Sequence, residues 1–159
     1  MSVAFTKESD AEAVAADLPD RPIPVHANLV TVTGLAQIDR ELAAARAAYD
    51  AARGSDAISA DRSAMARATR DLRYWSARRA SAQLIEARPA DGIAGFGSTV
   101  TFERADGRQQ TYAIIGDDEA DPAQGSVSYV SPLARAVMGK AVGEMVTLAG
   151  QAVEITGIN

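Results

Sequence analysis

From Leu35 onward, apolar side chains recur at Ile38, Leu42, Ala45, Tyr49 and Ala52, in steps of three and four that keep one face of a helix turned the same way. After Arg53-Gly54-Ser55-Asp56 the spacing returns at Met65, Ala68, Leu72, Trp75 and Ala82, with Arg79 falling on the stripe. No proline interrupts residues 34–88. The pattern predicts an antiparallel α-helical coiled-coil hairpin over residues 33–88, with Thr33 as the first N-cap. Many alanines on the seam imply that the two backbones approach closely while burying little apolar area.

Beyond Pro89-Ala90-Asp91-Gly92 the period changes from helical to alternating, and residues 89–95 read as a linker. Strands are expected at residues 97–103, 110–115, 126–130, 145–148 and 152–158, with Asp106-Gly107 as a two-residue hairpin turn. Ser131 is placed as an N-cap and Pro132 at the first helical position, where its missing N–H costs nothing. Gly139 stands as the stop of a short helix that offers Leu133, Val137 and Met138 to the sheet. Residues 96–159 therefore form a mainly antiparallel sheet with one covering helix, and the whole chain is of the α+β class.

Charge sharpens these divisions. Residues 1–32 form an irregular arm broken by Pro19, Pro22 and Pro24, in which Lys7 and Arg21 face Glu8, Asp10, Glu12, Asp17 and Asp20. Residues 34–88 hold ten arginines against seven acids, whereas residues 94–159 hold four basic residues against eight acids. The net charge of −5 over 159 residues argues against wrapping a nucleic-acid duplex and favours a protein partner. The chain has no cysteine, which removes disulfides and thiolate metal sites, and its single histidine, His26, is expected on the surface of the arm. Neither a membrane-spanning run nor a secretory start is legible, so a cytoplasmic location is expected.

Several segments carry a resemblance. Ile115-Gly116-Asp117-Asp118-Glu119-Ala120-Asp121, followed by Ser131-Pro132-Leu133-Ala134-Arg135-Ala136-Val137-Met138-Gly139-Lys140, resembles the C-terminal signature of Gre-type transcription elongation factors. Val32-Thr33-Gly34-Leu35 with Arg40-Glu41-Leu42 is similar to the opening of the coiled coil of that family, and Phe96-Gly97-Ser98-Thr99-Val100 to the start of its FKBP-like domain. The resemblance implies an FKBP-like antiparallel-sheet domain that docks on the rim of the secondary channel of bacterial RNA polymerase. It also implies a hairpin that reaches inward, whose tip carboxylates help hold a catalytic magnesium for cleaving backtracked RNA. The partner would be the polymerase, with nucleic acid met only indirectly, no membrane, and the chain acting as a monomer. The residues matching the docking segment are Asp121, Ser131, Pro132, Ala134 and Arg135.

The tip departs from the family pattern. Here Gly54-Ser55-Asp56-Ala57-Ile58-Ser59-Ala60-Asp61 places Asp56 where the first acid belongs, but Asp61 comes too late for the second. The first helix also reads several turns shorter than in cleaving members, and each lost turn withdraws the tip by ~5.4 Å. Asp56 and Asp61 then have two readings: tip acids, or a turn residue and a first-turn helix acid. The resemblance implies no cofactor and no metal of the chain's own; magnesium would be the polymerase's, shared only through an active tip. Three functions follow as expectations: a non-cleaving polymerase regulator that is not an enzyme, a cleavage-stimulating factor, or an FKBP-like peptide-binding module. The run Asp117-Asp118-Glu119-Asp121 lacks the spacing of a calcium loop and reads as a solvated turn or docking surface. The arginines at 62, 67, 70, 73, 78 and 79 read as a solvated face or a basic stripe.

Overall fold

The computed structural model describes residues 18–54, 60–86 and 91–159. The arm before residue 18, the tip residue Asp56, and Pro89 and Ala90 of the expected linker lie outside the described residues. The chain divides into a helical unit, residues 1–26 and 37–81, and a β unit, residues 27–36 and 82–159.

Two helices make the hairpin, α1 (Val32–Arg53) and α2 (Ala60–Ser81), each of 22 residues. Their antiparallel course is fixed at one end by the ion pair of Arg79 with Asp39 and at the other by Ala52 and Arg53 meeting Arg62 and Met65 around one cleft. Ile38, Leu42, Ala45 and Ala68 are buried as the spacing predicts, and Leu72 and Trp75 are half-buried. A surface groove of about 430 Å³ runs along the hairpin, lined by Ala44, Ala45 and Ala48 on one helix and Ala64, Ala68 and Trp75 on the other. Methyl groups fill little of the space between helix axes normally 8–10 Å apart. The arginine turned inward is Arg78, 1% exposed and satisfied, whereas Arg79 is exposed. Counting by sevens misses this by one position because the helical period is 3.6.

The second helix ends at Ser81. Ala82–Leu84 is a strand, β2, that pairs in parallel with β1 (Asn28–Val30), in the stretch expected to be an irregular arm. The domain borders expected at residues 32 and 88 therefore move to 26 and 81. The β unit also starts earlier than residue 96: Ile93 bridges Ala141, and the Ala94 N–H donates to the Lys140 carbonyl at 2.8 Å.

The main sheet contains β3 (Thr99–Arg104), β4 (Gln109–Ile115), β5 (Ser126–Ser128), β6 (Met145–Leu148) and β7 (Gln151–Ile158), in the order β5-β4-β3-β7-β6. It is mixed rather than purely antiparallel, because β5 runs parallel to β4 after a 3-10 turn over Pro122–Gln124. Alternation puts Val100, Phe102, Ile114, Val127, Val146, Val153 and Ile155 in one core with Ala94. The short helix α3 (Pro132–Val137) adds Ala134 and Val137 to that core, with Leu133 and Met138 packed beside them. Its stop differs from expectation. Met138 is extended, and Gly139 at φ 81° is the third residue of a type II turn closed by Lys140 N–H to Val137 O at 3.1 Å.

Both hairpin turns follow from backbone angles. Asp106-Gly107 is part of a three-residue loop, since Gly107 has φ 80° and Arg104 and Arg108 still face each other across 2.9 Å. A two-residue type I′ turn would need positive φ at Asp106 as well. That turn occurs instead at Ala149-Gly150, with φ 50° and 78°. Alanine pays for the left-handed conformation there, so Ala149→Asn should raise stability by about 0.5–1 kcal/mol, read as a higher urea midpoint at unchanged slope. Glu144 supplies a pH prediction. The Ala141 N–H donated to it holds its carboxyl below the usual 4.5, with Lys140 a lesser cause. A carboxyl depressed in the folded state stabilises above its unfolded pKa, and that contribution disappears as pH falls through the folded value. Carboxyl NMR titration should find Glu144 still depressed in Lys140→Gln.

Candidate functional site

Two of the sequence segments that carry the resemblance, the start of α1 and the acidic turn after β4, meet at one carboxylate. Glu119 Oε1 accepts the Thr31 N–H at 3.1 Å and the Gly116 N–H at 3.1 Å, while Oε2 accepts the Thr31 hydroxyl at 2.6 Å. Thr31 in turn caps α1: its Oγ1 accepts the Gly34 N–H at 3.0 Å and its carbonyl the Leu35 N–H at 2.9 Å. The N-cap is therefore Thr31, two residues before the Thr33 expected from spacing. A capping box normally takes its acid from the third helical residue. Here that residue is Gly34, and the acid arrives from a turn 88 residues away from Thr31.

Both glycines are required by this close approach. A Cβ on Gly34 would lie 2.4 Å from the Glu119 carboxyl carbon, and one on Gly116 would lie 2.4 Å from the Leu29 carbonyl oxygen. The segment is tied on its far side as well, by the Tyr129 hydroxyl donating to the Ala27 carbonyl at 2.6 Å and by Phe96 edge-on to Tyr129 at 5.7 Å.

From this anchor the candidate rim is built outward. The Ser128 hydroxyl donates to Asp117, joining the acidic turn to the strand that leads into α3. Asp121 caps the 3-10 turn, its Oδ1 accepting the Ala123 N–H at 3.0 Å, and its own N–H donates to Ser126 Oγ at 2.8 Å. Ser131 caps α3, accepting the Ala134 N–H at 3.2 Å. Of the five residues expected to dock, Asp121, Pro132 and Arg135 are exposed and Ser131 is half-buried. Ala134 is 0% exposed and belongs to the core, so its side chain offers nothing to a partner. Beside Pro132 and Leu133 opens a groove of about 460 Å³, walled by Phe102, Tyr112 and Leu148 with Arg104 at its margin.

Asp61 falls within α2, and the structure describes no side-chain setting for it; Asp56 is outside the described residues. Among the described residues no group of three or more His, Asp or Glu is placed to hold a metal. Glu119, expected as a solvated or docking acid, is spent on three internal donors. Its signal was present in the sequence as Gly34, since glycine inside a helix costs about 1 kcal/mol against alanine and calls for a packing reason.

Residues 89–159 match the family described as transcription elongation factor, GreA/GreB, C-term. The transcription elongation factor GreA of Desulfovibrio desulfuricans is 39% identical over 107 residues, covering 64% of this chain and 59% of that protein. GreA of Bacillus subtilis is 44% identical over 69 residues, 43% of this chain and 44% of its own length. The matches thus span about half the length of these relatives. A solved structure of GreA factor homolog 1 from Thermus thermophilus is similar at 19% identity and TM-score 0.40, over 84% of this chain and 99% of that one.

The carboxylate anchor is open to a double-mutant cycle. Glu119→Ala should cost about 2–3 kcal/mol, because two backbone donors lose a charged acceptor. Gly34→Ala should destabilise the native chain but become neutral or favourable by up to about 1 kcal/mol once Glu119 is alanine. Additive effects in chemical denaturation would show that the two positions do not meet.

Proposed function

We propose, on the premise that its GreA/GreB-type C-terminal domain makes this chain a member of the Gre-type family, that it is a transcription elongation regulator. In this reading it binds bacterial RNA polymerase at the secondary channel and does not efficiently stimulate transcript cleavage. The observation that carries it is the contrast between the two ends of the molecule's family signature. Asp121 and Ser131 fix the rim turns through their caps, so that Pro132 and Arg135 are presented from a rigid support. The tip segment, by contrast, lacks the close pair of acids that would share a magnesium ion.

The length of α1 supports the same division. Its 22 residues span about 33 Å at ~1.5 Å per residue. Magnesium–oxygen distances of about 2.1 Å leave no tolerance for a tip withdrawn by even one turn. The chain acts as an accessory to the polymerase rather than as an enzyme, and could occupy the channel entrance in competition with cleaving relatives. The groove between α3 and the sheet favours a second reading, an FKBP-like peptide-binding module, since the half-buried Tyr112 lines it beside Leu133 and Leu148.

Pro132→Glu should lower affinity for core polymerase by at least about tenfold, the loss of a buried contact of ~1.4 kcal/mol or more, with an unchanged melting temperature. Equal affinity in the folded variant would remove the rim from the interface. Backtracked elongation complexes given the protein and magnesium should keep their transcripts whole. Release of short 3′ fragments that depends on Asp56 and Asp61 would establish the cleaving reading instead. A prolyl-peptide isomerisation assay should be blank; turnover blocked by Tyr112→Ala would favour the second reading.

A further inference from the structure

Strand alternation carries the core face of the main sheet past its apolar end. Two residues beyond Phe102 on β3 stands Arg104, and two before Tyr112 on β4 stands Gln110, so both continue the face that α3 covers. Both stand at the margin of the groove of about 460 Å³ that Tyr112, Leu133 and Leu148 line. The guanidinium there is held by two neutral amides. Its Nε and Nη2 donate to Gln110 Oε1 at 3.1 and 2.8 Å, and its Nη1 donates to Gln151 Oε1 at 3.1 Å. Three of its five N–H donors are used in this way. Among the described residues no carboxylate completes the charge, since Asp106 pairs with Arg108 at 2.6 Å and Glu103 accepts from Gln109 at 3.0 Å.

We propose, resting on the reading of the groove as a peptide-binding surface, that it takes an extended segment of a partner protein in which an acidic side chain follows an apolar one. The apolar residue sits beside Tyr112, Leu133 and Leu148, and the carboxylate accepts the two remaining N–H groups of Arg104. Charge favours such a partner. Residues 94–159 hold four basic residues against eight acids, yet Arg104 on β3 and Arg135 on α3, the elements that flank the groove, have no carboxylate partner among the described residues. Arg108 and Lys140 do have one. Pre-organisation favours it as well, because a guanidinium already fixed by Gln110 and Gln151 loses little freedom when a carboxylate arrives, and its fork matches two oxygens. A second hollow, of about 350 Å³ and lined by Arg108 and Gln109, shares Arg104 and Gln110 with the groove. A bound segment therefore has room to continue past the arginine, which fits a side-chain carboxylate rather than a chain end.

The test is an NMR titration of the isotope-labelled, full-length protein with two end-capped hexapeptide libraries, X-X-Leu-Glu-X-X and X-X-Leu-Gln-X-X, where X is any residue except Asp and Glu. The Arg104 Nε–H and the Tyr112 and Leu133 amides should shift at about tenfold lower concentration of the Leu-Glu library. That preference should vanish in Arg104→Gln, shrink in Arg104→Lys, which keeps the charge but loses the fork, and weaken in ~1 M NaCl. The comparison of libraries is made on the unaltered chain, so it holds even where a variant fails to fold. Equal response to both libraries overturns the selection of an acid and leaves the groove a peptide surface; no response to either removes the groove reading with it. Tighter binding of a library that ends in a free Leu carboxylate would make Arg104 a chain-end pocket, and the same shifts on raising protein concentration alone would make a second copy the occupant. Either result overturns the proposal.

Discussion

The carboxylate of Glu119 is the constraint on which the β unit depends. An α-helix begins with unpaired N–H groups and a partial positive charge, and the usual remedy is an acid one turn along. Here the acid comes from another turn of the chain and joins Thr31, Gly34 and Gly116 at one point. A single side chain therefore does three jobs: it completes a helix cap, closes the turn after β4, and holds β1 close enough that Gly116 touches Leu29. The glycines are the space that this convergence needs.

This anchoring separates residues that shape the rim from residues that face outward. Ser131 and Asp121 spend their oxygens on backbone N–H groups and Ala134 is sealed in the core, so most of the matching motif is scaffold. Pro132 and Arg135 are what the motif displays. A motif found in a sequence mixes these two kinds of residue, and only hydrogen bonding and burial sort them.

Local patterns were readable where one period dominates. The two helices, the five strands of the main sheet and the Ser131-Pro132 helix start followed from apolar spacing and cap chemistry. Features set by distant partners were not readable. The Glu119–Thr31 contact has no local mark beyond a glycine in a helix, and the parallel pairing of Asn28–Val30 with Ala82–Leu84 joins three-residue segments too short to show alternation. The turn at Ala149-Gly150 escaped because alanine is not a turn residue by propensity, while Asp106-Gly107 suggested a tighter turn than the register allows. Arg78 in place of Arg79 is the error expected when a heptad frame is carried along a helix of true period 3.6.

The parallel strand pair has a consequence for how the chain reaches its folded state. Asn28 and Ala82 pair only after all of α1 and α2 has intervened, so their contact is closed by a loop of more than fifty residues. Loop-closure entropy makes such a contact unrewarding early, whereas helices form on microsecond timescales from local contacts. Helix formation shortens that loop before it must close. The C-terminal sheet, whose hairpins are local, can assemble at the same time, leaving the meeting of Thr31 with Glu119 as a late step that commits both ends of the hairpin at once. Substitutions at that carboxylate would then speed unfolding far more than they slow folding, giving it the character of a kinetic clasp.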